Sequence, residues 1–301
     1  MHKNAFMVII DPNQEQQPAF ERALQSAKMT SRSLHLFACV YFDNRGDIEG
    51  NRDDAHKALI LAHYQTMLDS LQKRAQGLGV ETTFELQWQQ NWQQAVVSAT
   101  KNRHDFMVFK SSQVHKLAER SDTTADWALL RESPCPVLLM HNNSNWANRR
   151  VLAAINLATQ DEAHQRLNEK VLAMANSFKV EYGADVHFVN SVPKEAAPHH
   201  SGTEEDDDLL FYVLPSSFAN SETHAPEITE SLLLKNCSTD KAHIHIEQGE
   251  PVEAILAVAE QLQTDLLIVG TIGRTGIKGR IVGNTAEKLL DAVKCDILTL
   301  T

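Results

Sequence analysis

The residues best suited to chemistry lie between positions 270 and 285. Gly270, Gly273 and Gly283, followed by Asn284 and Thr285, bracket Arg274, Lys278 and Arg280, and positions 271–282 contain no acid. Glycine lets a backbone take positive φ and approach a ligand without a Cβ in the way. Successive N–H groups in such a turn can converge on an anion. A helix opening at Asn284 would add the partial positive charge of its N-terminus. That chemistry is phosphate binding. A plain surface loop explains the same residues equally well, because Asn284 and Glu287 have the spacing of a capping box. The stretch is neither a P-loop, since Gly276 is followed by Ile277, nor a GxGxxG fingerprint.

The elements that must position this stretch follow from periodicity. Leu266–Val269 is a short apolar run that reads as a buried strand, and a helical pattern follows Thr285. Upstream, strands are expected at Phe6–Ile10, Leu34–Val40, Thr83–Trp88, Phe106–Phe109 and Val137–Met140, with helical patterns between them. Residues 141–149 are polar and rich in asparagine, as expected of a linker. The pattern then begins again at Val151–Ile155, with a helix over 162–182, strands at Val186–Val192 and 243–248, and a helix opened by Pro251.

The two halves are an internal duplication. A shift of 160 residues aligns Thr83–Met140 with the second half without a gap: Asp105 falls on Asp265 and Cys135 on Cys295. A shift of 145 places Asp11 on Asn156, so the second half carries about 15 extra residues before its third strand. Domains at 1–141 and 149–301 follow. Strict β–α alternation argues for two doubly wound α/β domains, each with a five-stranded parallel sheet. Ligands of such sheets sit at the carboxyl ends of strands, at the switch point. The strand ends concerned are Asp11 or Asn156, the region of residue 190, and the loops after Phe109 and Val269.

Composition narrows the function classes. The 301 residues suffice for two ordinary cores, with 43% hydrophobic content. A formal net charge of −11 disfavours nonspecific nucleic-acid binding. Cys39, Cys135, Cys237 and Cys295 form no CxxC pair, which suggests reduced thiols. No signal-peptide order or membrane-length apolar run is read at the N-terminus or beyond, so a soluble cytoplasmic protein without a membrane partner is expected.

The spacing G-x2-G-x9-G before Asn284, after the fourth strand of a five-strand unit, resembles the universal stress protein family. The duplication and the wording VGTIGRTGIKGRIVGNTAEKLLD before Cys295-Asp296 are similar to its tandem E-type members, over essentially the whole chain. The resemblance implies an adenine nucleotide alpha hydrolase-like fold with strand order 3-2-1-4-5 in each half. It also implies a site for ATP or a related adenine nucleotide, with Mg²⁺ as accompanying cation, in the second half. Carried over, Gly270, Thr271, Gly273, Arg274, Gly283, Asn284 and Thr285 would surround the phosphates and ribose, and Ser191 the adenine. Asn156 stands where the family carries an acid, and Asn284 where it usually carries Ser or Thr. In the first half Asp11 is kept, but Lys110, Gln113 and Thr123 replace the glycines. That half is therefore expected to bind no nucleotide in the family manner. The family's habit of pairing fifth strands suggests that Val137–Met140 and Ile297–Leu300 meet within the chain as a pseudo-dimer, with a homodimer left open.

No catalytic base is assigned: GxSxG and HExxH are absent, so hydrolysis would be slow and incidental. Two other readings stay open, an interaction scaffold with a vestigial loop and an enzyme acting on a nucleotide-linked substrate. His243, His245 and Glu247 alternate on the third strand of the second half and share a face. A divalent metal could use them, but a polar edge-strand face is the favoured reading, with no metal assigned.

Overall fold

The computed structural model describes residues 5–14, 16–41, 50–103, 105–111, 129–130, 132–141, 146–156, 162–192, 240–271 and 284–301. The first half supplies β1 (Ala5–Ile9), α1 (Pro18–Thr30), β2 (Ser33–Val40), α2 (Gly50–Gly77), β3 (Thr82–Trp88), α3 (Trp92–Arg103), β4 (Met107–Ser111) and β5 (Val137–Met140). The second supplies β6 (Arg150–Ala154), α4 (Glu162–Tyr182), β7 (Asp185–Val192), β8 (Ile244–Gln248), α5 (Pro251–Gln261), β9 (Leu266–Gly270), α6 (Asn284–Ala292) and β10 (Asp296–Leu300).

Local chemistry sets the ends of several helices. Pro18 and Pro251 occupy first-turn positions, where a missing N–H costs nothing. The Asn91 side chain accepts from the Gln94 N–H at 3.0 Å, which caps α3 as its position suggests. Ser31 takes φ 54° to end α1, with its N–H on the Ala27 carbonyl.

The ten described strands form one sheet in the order β3-β2-β1-β4-β5-β10-β9-β6-β7-β8. Read within each half, this is third-second-first-fourth-fifth. The halves share a single sheet, joined through their fifth strands as the family resemblance suggested. The join is β5 against β10, the one antiparallel pair among the described strands, with Ile297 opposite Leu139 and Thr299 opposite Val137. Val137, Leu138, Leu139, Ile297 and Leu298 are all buried, so both strands bury apolar side chains on both faces, as interior strands do.

Helices cover both faces. Phe6, Val8, Phe20, Leu68, Val171 and Phe178 belong to one core, which gathers α1, α2 and α4 on one side of the sheet. Met7, Val108, Val96, Ile255 and Leu289 belong to the other, beneath α3, α5 and α6. Each core draws residues from both halves. An ion pair also crosses between them, Arg32 holding both carboxylate oxygens of Glu181 at 2.6 and 3.0 Å. No helix among the described residues is long and apolar enough to cross a membrane.

Candidate functional site

The switch point of the second half lies between β6 and β9, which are parallel neighbours in the register Val151–Leu266 and Ala153–Ile268. After β6 the chain passes to α4 on one face, and after β9 to α6 on the other. The crevice left between two such departures is where doubly wound sheets take ligands.

Four expected site residues are described in or beside this crevice. Asn156 follows β6 and is exposed. Its N–H donates to Asn168 Oδ1 at 3.2 Å, and its carbonyl accepts from Asn168 Nδ2 at 2.6 Å. The carboxamide of α4 thus clamps the backbone as it leaves the strand. Gln17 performs the same task in the first half. Its Oε1 accepts from the Asp11 N–H at 3.1 Å, and its Nε2 donates to the Asp11 carbonyl at 2.7 Å. The two clamping residues are not equivalent in the repeat alignment, so sequence comparison missed them. Ser191 is half-buried near the end of β7, opposite Glu247 of β8.

Gly270 ends β9. A Cβ there would come within 2.3 Å of Leu167 Cδ2 and 2.5 Å of Leu167 Cγ. The absent side chain makes room for Leu167 of α4, and Gly270 is not among the described glycines with positive φ, so close packing rather than backbone conformation calls for a glycine here. Thr271 is buried rather than open to the crevice. Its N–H and hydroxyl both donate to the Leu300 carbonyl, at 2.7 and 3.1 Å, which ties the loop entrance to β10.

Thr285 is exposed in the first turn of α6, which opens at Asn284. The expected contacts at Gly273, Arg274 and Gly283 lie outside the described residues. So do Gln113 and Thr123, their counterparts in the first half. At the position equivalent to Gly270, Lys110 is buried, with Nζ donating to the Ser111 carbonyl at 3.1 Å and lying 5.7 Å from the Trp92 ring. The Asp11 carboxylate accepts from the Asn13 N–H at 2.9 Å in a local turn.

At the opposite, amino ends of the strands, the face shared by His243, His245 and Glu247 is divided. His243 belongs to a 3₁₀ turn, Lys241–His243, that precedes β8. It joins Asp185 and His187, at the start of β7, in a cluster able to offer three metal ligands. The sequence reading missed both β7 residues, although the D-x-H spacing was its available signal. Burial pushes the His187 and His245 imidazoles below the ordinary histidine range. For Asp185 burial acts upward, but hydrogen bonds and charge from His187 and His243 outweigh it and hold the carboxyl low.

Comparison with known proteins agrees with this architecture. The family model described as "Universal stress protein family" matches twice, over residues 4–141 and 148–300. The chain is 28% identical to the universal stress protein E homolog of Haemophilus influenzae, over 97% of this chain and 95% of that protein. It is 26% identical to universal stress protein E of Salmonella typhi, over 100% of this chain and 94% of that one. A functionally unknown protein from Pseudomonas aeruginosa shares the fold, with a TM-score of 0.74 at 24% identity, covering 99% of this chain and 92% of that one. Two family matches that together span nearly all of a sheet built as two like halves leave one conclusion, that the chain belongs to the universal stress protein family.

Proposed function

We propose that the second half, residues 149–301, binds ATP or a related adenine nucleotide at the carboxyl ends of β6, β7 and β9, in a cytoplasmic stress-response protein. The observation that carries this reading is the switch point between β6 and β9. Asn156 and the Gly270–Thr271 exit stand at it, and α6 begins at Asn284 beyond the glycine loop. A phosphate chain would meet the loop N–H groups and the N-terminus of α6. Asn156 would contact ribose or base through an amide, which both donates and accepts but carries no charge. Thr271, with its hydroxyl directed to Leu300, would act by shaping the loop entrance. The first half would serve as a partner, because the buried Lys110 side chain stands where a phosphate path would need glycine.

The test is release of small molecules from purified, denatured protein, with thermal stability measured with and without ATP and Mg²⁺. Bound nucleotide or a rise in Tm is expected, and Gly283→Leu should abolish it. Asn156→Asp should strengthen binding if the acid of the family motif is what this site lacks. No nucleotide and no Tm response would sink the reading and favour an interaction scaffold. Multiple turnover lost in Gly283→Leu would favour an enzyme.

A further inference from the structure

β7 opens with Asp185, Val186 and His187, so strand alternation puts Asp185 and His187 on one face. The register Phe188–Ile244 and Val189–His245 brings the 3₁₀ turn before β8 alongside them. His243 Nε2 lies 3.0 Å from Asp185 Oδ1, and His187 Nε2 lies 3.3 Å from Asp185 Oδ2. One ligand atom from each of Asp185, His187 and His243 falls within 4.8 Å of the others. A third imidazole stands behind this group, His245 Nε2 being 3.1 Å from His187 Nδ1. Ser191 lies six residue steps along β7 from Asp185, roughly 20 Å at about 3.3 Å per step. This cluster is therefore distinct from the proposed nucleotide crevice.

We propose that Asp185, His187 and His243 bind a divalent first-row transition metal of the zinc type, with His245 orienting His187 from behind. Two imidazoles and one carboxylate suit Zn²⁺, Co²⁺ or Ni²⁺, whereas Mg²⁺ and Ca²⁺ select oxygen donors. Zinc–ligand bonds of about 2.0–2.2 Å need only a modest inward turn of the widest pair. The partial exposure of the His243 and Asp185 side chains allows that turn and leaves room for water to complete the shell. The metal would take Nε2 of both histidines, so each ring carries its remaining proton on Nδ1. From Nδ1 of His187 that proton is donated to His245 Nε2, the outer hydrogen bond that typically fixes a metal-bound imidazole. Arg150 is the opposing charge, with Nε 3.8 Å from Asp185 Oδ2. Its Nη1 is tied to the Leu262 carbonyl at 2.6 Å, which anchors the guanidinium beside the site. Glu247 lies two residues beyond His245, opposite Ser191, and takes no part.

The test uses the tag-free full chain, stripped with a chelator and free of nucleotide. Zn²⁺ is titrated calorimetrically, and Co²⁺ by its visible absorption. One equivalent should bind, Tm should rise, and Mg²⁺ should do neither. Asp185→Asn and His243→Ala, both at partly exposed positions, should keep the native circular dichroism. Each should weaken Zn²⁺ by more than the roughly 10–100-fold that loss of an outer partner costs. His245→Ala should fall within that range, and Glu247→Gln should bind as the unaltered chain does. Absence of stoichiometric Zn²⁺ binding, or binding unchanged in Asp185→Asn and His243→Ala, would overturn the assignment. Neither result bears on the nucleotide reading, whose site is tested separately.

Discussion

The indole Nε1 of Trp146 donates a hydrogen bond to Asp296 Oδ2 at 2.8 Å, joining the linker to the last strand of the sheet. Asp296 is fully buried, and its Oδ1 accepts from the His141 N–H at 3.0 Å. Arg22 of α1 completes the group, with Nη2 4.0 Å from Asp296 Oδ2 and Cζ 4.1 Å over the Trp146 ring. First half, linker and second half thus meet around one carboxylate.

This arrangement makes Asp296→Ala costly. Burial pulls the Arg22 guanidinium below its ordinary range, and the carboxylates of Asp296 and Asp265 counter that pull. Removing one partner of a buried pair typically costs about 3–5 kcal/mol. Adding Arg22→Met should recover part of the loss, because no poorly compensated charge then stays buried. Urea midpoints of the single and double variants check this, and a double variant no more stable than Asp296→Ala would count against it.

The seam between β5 and β10 predicts cooperative behaviour. Leu298 is fully buried opposite Leu138, and Leu298→Ala should cost about 2–5 kcal/mol. The unaltered chain should unfold in one transition by fluorescence and by circular dichroism, since both halves share one sheet and two common cores. Two separated transitions in the unaltered chain would contradict a shared sheet.

Gly270→Ala should destabilise by about 1–3 kcal/mol, the usual cost of overpacking. The new methyl would collide with Leu167, and pairing it with Leu167→Ala should restore part of the stability. Thermal denaturation of the three variants measures this. If instead Gly270→Ala left stability intact and only weakened ATP, the residue would be a ligand contact rather than a packing one.

Stability should fall in alkali. Burial pushes the Cys295 thiol to about 12 and the Tyr182 phenol to about 12, and it pushes the Cys135 thiol to about 11. The native chain therefore holds protons that the unfolded chain has released. The resulting stability is complete below about pH 9, the ordinary thiol value, and is lost as pH rises through 11 to 12. Urea midpoints at pH 8, 9, 10 and 11 should decline steadily over the upper range. At pH 8.5 iodoacetamide should spare Cys135 and Cys295 until urea is added.

Much of this architecture was legible because it is written in consecutive residues. The apolar runs at Val137–Met140 and Leu266–Val269 and the proline at 251 each act within a few positions. The repeat carried the same signals twice, and from them came the β–α alternation, the duplication and the nomination of the glycine loop. What the sequence could not decide is which groups meet across the sheet. That depends on register and on the facing helix, which join residues more than 50 positions apart. Leu167 facing Gly270, the Trp146–Asp296–Arg22 cluster and His187 between Asp185 and His243 are all of this kind. The pairing of β5 with β10, which the sequence offered only through family resemblance, is likewise fixed by the tertiary structure, because these apolar strands would each leave an edge unpaired if they did not meet.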